Sequence, residues 1–180
     1  MREYGNRHTG AVLRMTPYIT LTLAERRLAE FMGNARYERS RRSGIVDRKV
    51  GGQSNEETDR EGIAAELAFC KYMNLYPPID IDHYDDWDCK LPDGRRIDVK
   101  STTYTSGRLL AVVWKKPKQI DLFALMVGKF PIYQCAGYIE AKVLMTDQYI
   151  TDLGYGPVYA ASQSELLDIE ELKNEITKRG

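Results

Sequence analysis

The stretch Asp86–Thr102, DWDCKLPDGRRIDVKST, decides how this chain is read. Pro92, Asp93 and Gly94 are turn chemistry: proline presets the first turn position, aspartate tolerates the second, and glycine supplies the left-handed residue of a three-residue hairpin loop. With those residues as the loop, Leu91 faces Arg95 and the register follows by counting. Cys89 faces Ile97 and Trp87 faces Val99; on the other face Lys90 meets Arg96, Asp88 meets Asp98 and Asp86 meets Lys100. One face is apolar and the other charged, whereas a two-residue loop would set Asp88 against Val99. Directly opposed residues have Cβ atoms about 4.5–5.5 Å apart, and like charges there are destabilising. Asp88 against Asp98 therefore calls for compensation. A surface lattice with Lys90, Arg96 and Lys100 is one form of it, and a divalent cation held between the carboxylates is the other.

The segment before the hairpin reads as the main helix, Glu56 to Leu75. Ile63, Leu67, Cys70 and Asn74 form one stripe, widened by Ala64, Ala68, Phe69 and Met73, and Pro77-Pro78 is the expected stop. Glu66 falls at the edge of the stripe, in line with Phe69, Cys70 and Met73, so its carboxylate points partly inward, where it is costly without a partner. Earlier still, TLTLAERRLAEFMG carries a capping box (Thr22, Glu25) and apolar residues at Leu21, Ala24, Leu28 and Phe31, with Gly33 and Asn34 as the expected stop. From Ala35 to Val50 a polar stretch holds six Arg or Lys against two acids and ends at Gly51-Gly52. It reads as a solvated loop or as a basic flap for a phosphate backbone, with Arg36, Arg39, Arg41 and Arg42 as its contacts.

After the hairpin the chain looks like sheet. RLLAVVWK, DLFALMVG and YQCAGYIEAKVL are short apolar or alternating runs, and the link KKPKQI has room for about one helical turn. Gly154 and Gly156-Pro157 mark a loop. The last element, SQSELLDIEELKNEITKR, opens with a second capping box (Ser162, Glu165) and buries Leu166, Ile169, Leu172 and Ile176. Residues 1–55 are expected to form an N-terminal helix and basic flap of the same domain as the core, 56–180.

Composition bounds the function. With 180 residues, 43% hydrophobic and 29% charged, the chain is one globular domain. Its formal net charge is zero, so any nucleic-acid partner is met by a local patch. No apolar run has the length of a membrane span, and MREYGNRHTG lacks the apolar core of a signal peptide. Cys70, Cys89 and Cys135 lack CxxC spacing and read as small core residues, so the expected compartment is the cytoplasm. With only His8 and His83, a histidine-rich metal centre is excluded. The tyrosines Tyr133, Tyr138, Tyr149, Tyr155 and Tyr159 read as sheet and core residues.

A helix glutamate (Glu66 in EGIAAELAF), then an aspartate (Asp88 in DWDCKL), then Asp98-Val99-Lys100 in RIDVKST, resembles the PD-(D/E)xK nuclease superfamily. The resemblance covers roughly Glu56 to Lys142. It implies the restriction-endonuclease-like α/β fold, a central mixed sheet flanked by helices with an αβββαβ-type core, here preceded by an N-terminal helix and basic loop. It also implies a Mg²⁺-dependent deoxyribonuclease, with Mn²⁺ as substitute and an endonuclease favoured. Asp88, Asp98 and the Val99 carbonyl would hold the metal, Glu66 would bind it directly or through water, Lys100 would polarise the attacking water, and Lys90, Arg96, Lys115, Lys116 and Lys118 are phosphate contacts. The sequence departs from the pattern in two places. The helix expected between the third and fourth strands shrinks to KKPKQI, and no proline precedes the first acid, so Asp86 competes with Asp88 for that position. DNA is the expected partner, with no membrane, and a homodimer is compatible, since many nucleases of this fold pair to cut both strands. A phage, mobile-element or repair setting follows from the small size. A non-catalytic nucleic-acid-binding or assembly module on the same fold is the alternative.

Overall fold

Residues 16–42, 55–77, 79, 87–113, 120–154 and 156–179 are described by the computed structural model. They form β1 (Ile19–Thr20), α1 (Leu23–Arg42), α2 (Asn55–Met73), β2 (Cys89–Lys90), β3 (Arg96–Thr102), β4 (Leu109–Val112), β5 (Leu122–Lys129) and β6 (Ile132–Glu140). Then follow α3 (Ala141–Leu144), β7 (Ile150–Asp152), β8 (Pro157–Ala161) and α4 (Ile169–Arg179). The result is a mixed α/β architecture. No helix among the described residues is long and apolar enough to cross a membrane.

Alternation along β5 sets the layers. The main sheet runs β1-β6-β5-β3-β2, with β3 parallel to β5 and the other pairs antiparallel. Leu122, Ala124 and Met126 face one side with Ile97 and Val99 of β3, and there they meet Ile63, Leu67, Phe69 and Cys70 of α2 and Ile169, Leu172 and Ile176 of α4. Phe123, Leu125 and Val127 face the other side, against Leu109, Ala111, Tyr159 and Ala161. Each large apolar side chain buried this way contributes about 1.5–3 kcal/mol. Asp98 pairs across to Phe123 and Lys100 to Leu125, so both stand on the second face, at the margin of its core.

Four expectations are corrected. The sheet strands do not form one sheet: β4 leaves to pair with β8, and with β7 these make a separate three-stranded sheet, β4-β8-β7. The residues after Gly156 are not loop but strand β8, which gives β4 its partner. Helix α1 does not stop at Gly33 and Asn34; it continues to Arg42, so the first part of the basic stretch is helical. Gly33 is instead a crossing point, where an added Cβ would stand 3.0 Å from the Arg60 Cα, and the missing side chain lets α1 lie close against α2. The inward stripe of α1 is accordingly Ala29 and Met32, while Phe31 is 63% exposed. Helix α2 ends at Met73 rather than at the prolines: Asn74 takes a left-handed conformation (φ 54°) and the Leu75 N–H donates to the Cys70 carbonyl at 2.8 Å, so Asn74 lies off the buried stripe.

Other readings hold. The capping box at Thr22 and Glu25 is formed, with the Thr22 N–H donating to Glu25 at 2.6 Å. The box at Ser162 and Glu165 is also formed, on a short 3₁₀ turn rather than on the α-helix, which begins at Ile169. All three cysteines are buried free thiols.

Candidate functional site

The hairpin turn is built as its chemistry dictates. Gly94 is left-handed (φ 94°) and donates its N–H to the Leu91 carbonyl at 2.9 Å, while Leu91 donates to Arg95 at 2.8 Å. The ladder then pairs Lys90 with Arg96 and Cys89 with Ile97, the expected register, and stops. The Asp88 N–H also donates to the Ile97 carbonyl at 2.8 Å, so Asp88 and Cys89 both stand against Ile97 in a β-bulge. The expected Asp88–Asp98 and Trp87–Val99 ladder pairs are therefore absent. In their place the Asp88 carboxylate accepts the Val99 N–H at 2.7 Å. Because the N–H and C=O of one strand residue point to the same edge, the Val99 carbonyl faces that gap beside Asp88.

Around this open edge of β3 five charged side chains gather. Lys100 Nζ contacts Asp98 Oδ1 at 2.6 Å, with the Asp98 side chain only 13% exposed. From α2, Glu66 points partly inward, 14% exposed, as its place on the stripe requires. Its partner is Arg36 of α1, which donates from both terminal nitrogens to both carboxylate oxygens at 3.0 and 3.3 Å. Asp88 lies between. Burial first, then the charges of Glu66 and Asp98, hold its carboxyl well above the usual carboxylate range, and the attraction of Lys100 and the Val99 N–H does not cancel them. Burial alone would lower Lys100, but Asp98, Asp88 and Glu66 raise it, so it stays a cation. Arg36 is likewise raised against burial, by Glu66 and then by Asp88 and Asp59.

The structure brings together Glu66, Asp88, Asp98, Lys100 and Val99. Arg36, expected on a flap, is an internal partner of Glu66. Sequence reasoning missed this because it ended α1 too early; continued through Gly33, the inward positions 29, 32 and 33 lead one turn on to 36. Arg39, Arg41 and Arg42 fall in the last turn of α1. Arg41 lies over the Tyr37 ring at 4.9 Å, and Arg42 pairs with Glu38 at 3.5 Å. Lys90 is exposed, Arg96 half-buried. Asp86, Lys115, Lys116 and Lys118 lie outside the described residues. Beneath the site, the contact with Cys70, together with burial, pushes the Cys89 thiol up, which makes it inert at neutral pH. An open concavity of about 440 Å³ on α4, lined by Glu171, Asn174, Glu175 and Lys178, contains none of these residues.

Among the described residues no three His, Cys, Asp or Glu side chains converge closely enough to hold a metal ion. Glu66 comes from the helix layer with both oxygens engaged by Arg36, Asp98 stands on the opposite face of β3 beside Lys100, and Asp88 lies between them. Two carboxylates and a strand carbonyl do fit a hard divalent cation, which takes oxygen ligands and keeps several waters. Asp88 supports the fit, as a half-buried carboxylate that two others repel and that no cation pairs with directly among the described residues.

No curated protein and no solved structure matches the chain. Residues 12–146 match the model of a family of unknown function, DUF5843, and the chain belongs to that family.

Proposed function

We propose that this protein is a metal-dependent nuclease of the PD-(D/E)xK type that hydrolyses phosphodiester bonds in DNA, acting as an endonuclease. The observation that carries the reading is the gathering of Glu66, Asp88, Asp98 and Lys100 at the open edge of β3, where no cation among the described residues pairs directly with Asp88. A helix over a mixed sheet, with a hairpin (β2–β3) and a strand parallel to β3 (β5), accords with a restriction-endonuclease-like frame. The departure of β4 to a second sheet is a variation on it.

Asp88 and Asp98, with the Val99 carbonyl, would hold Mg²⁺, or Mn²⁺ in its place. Bound there, the ion supplies Lewis-acid stabilisation of charge on the scissile phosphate. Lys100, kept protonated by the acids around it, donates a hydrogen bond to the attacking water or to a phosphoryl oxygen. Lys90 and Arg96 on the hairpin, and Arg39, Arg41 and Arg42 at the end of α1, bind backbone phosphates.

A non-catalytic nucleic-acid-binding module is the second reading. One observation favours it: Glu66 and Asp98 already carry internal cations, as in a structural charge network. Cleavage separates the two. Purified protein with Mg²⁺ or Mn²⁺ is expected to cut at least one member of a panel of linear, circular, branched and single-stranded DNA. Lys100→Ala and Asp98→Ala are expected to abolish cutting while circular dichroism shows the fold retained. Equal, background-level nicking by wild type and Lys100→Ala across the panel would remove the nuclease reading.

A further inference from the structure

We propose that Arg36 is the resident counter-cation of this site: by engaging both oxygens of Glu66 it keeps that carboxylate out of the metal's ligand set and limits the site to one divalent ion. The inference rests on the metal-site reading above and deepens it.

Three features carry it. The contact is fork to fork, each terminal nitrogen of Arg36 to a different oxygen of Glu66, at 3.0 and 3.3 Å. Such bidentate pairs are the strong, directional ones, and a lysine reproduces the charge but not the fork. The pair is also held in place from below. Gly33, one turn before Arg36, brings α1 against the Arg60 backbone, so the guanidinium is presented to α2 by a close helix crossing rather than by a loop. Glu66 is only 14% exposed and has little freedom to turn away.

The charge balance points the same way. Among the described residues that meet at this edge, the carboxyl groups of Glu66, Asp88 and Asp98 outnumber the Arg36 and Lys100 cations by one, with Arg36 paired to Glu66 and Lys100 to Asp98. That surplus suits a single divalent ion held by Asp88 and Asp98. Without Arg36 the acids would outnumber the cations by two, and Glu66 would be free to help hold a second ion. Glu66 is then a positioning residue rather than a ligand. Arg36 is a structural cation rather than a phosphate contact, which separates it from Arg41 and Arg42 one to two turns further along.

The test counts Mn²⁺ bound per chain from the loss of the free-ion electron paramagnetic resonance signal during titration, with no DNA present. Wild type is expected to bind one ion, Arg36→Met two, and the double variant Arg36→Met/Glu66→Gln one again. Arg36→Lys should stay at one. Two ions in wild type, or one ion in Arg36→Met at unchanged affinity, would overturn the proposal while leaving the metal site standing. No ion bound by wild type would remove the metal site itself, and the proposal with it. If circular dichroism shows Arg36→Met unfolded, Glu66→Gln decides. Retention of one ion with affinity lowered by no more than roughly 100-fold, the range for residues behind the ligands, supports the proposal. Complete loss of saturable binding makes Glu66 a ligand and overturns it.

Discussion

Replacing Asp88 by asparagine is expected to stabilise the metal-free protein, although it removes a residue central to the proposed chemistry. Among the described residues the Asp88 carboxylate accepts one hydrogen bond, from the Val99 N–H at 2.7 Å, and an asparagine oxygen keeps that acceptor. What the substitution removes is a charge that burial disfavours and that Glu66 and Asp98 repel. One like-charge pair separated by 4–7 Å costs roughly 2–4 kcal/mol at an effective dielectric constant near 20. The attraction of Lys100 and the weaker hydrogen bond to a neutral acceptor take back part of this, the latter by about 1 kcal/mol. A net gain of about 1–2 kcal/mol remains, which for a chain of this length corresponds to a rise in Tm of roughly 2–8 °C.

The pH dependence has a definite sign. The folded-state pKa of Asp88 stands above that of an unfolded-chain aspartate, so the folded protein binds this proton more tightly. The stability of wild type relative to Asp88→Asn therefore falls as pH rises from about 4 through the raised folded value, and stays low above it. Thermal unfolding followed by circular dichroism in EDTA, at pH 8 and again in acid, reads both effects. The gain should be present at pH 8 and shrink towards zero on acidification. Mn²⁺ should raise the Tm of wild type at pH 8 but not that of Asp88→Asn. Destabilisation of Asp88→Asn by 1 kcal/mol or more at pH 8 in EDTA would refute the reasoning, since about that much is the whole value of an ordinary hydrogen bond.

Three further outcomes are expected. Gly33→Val forces a side chain into the α1–α2 crossing, where its Cβ alone would stand 3.0 Å from Arg60 Cα, and should cost about 1–3 kcal/mol in urea unfolding; a neutral result would mean the helices are not tightly apposed. Glu61→Ala should cost about 2–4 kcal/mol, because buried Glu61 accepts from Tyr133 Oη at 2.7 Å and the Phe130 N–H at 3.0 Å, yet leave Mn²⁺ binding unchanged; altered binding would tie Glu61 to the site. Arg41→Ala/Arg42→Ala should weaken DNA binding alike for all sequences and reduce the slope of log affinity against log salt by up to about 2. An unchanged slope would take the end of α1 out of the DNA interface.

The hairpin was legible in the sequence because its signals are local: turn residues with one workable loop length, and a strict alternation that leaves one sensible register. Its upper end was not, because nothing in DWDC announces the bulge that takes Asp88 out of the ladder and turns its carboxylate to the Val99 N–H. Gly33 misled for a physical reason. A glycine that ends a helix and one that admits a neighbouring helix look alike until the neighbour is known, and α2 begins twenty-two residues later. The Arg36–Glu66 pair went unseen for the same cause. The second sheet was hidden in another way: β7 and β8 are three and five residues long and flank the glycines Gly154 and Gly156, so their strand character comes from pairing with each other and with β4 rather than from propensity. Strand preference of this kind is set largely by neighbours. Glu66, Asp88, Asp98 and Lys100, which meet at this edge, are all singled out by the sequence, and Arg36 is assigned there to a phosphate contact instead; the hairpin charges by themselves read equally as a surface lattice with Lys90 and Arg96.

The most direct measurement is an anomalous difference map from crystals soaked in Mn²⁺. The account predicts one peak per chain at the open edge of β3, in contact with Asp88 and Asp98, with Glu66 still held by Arg36. No peak at that edge, with Asp98 still paired to Lys100 and Asp88 bonded only to the Val99 N–H, would contradict it.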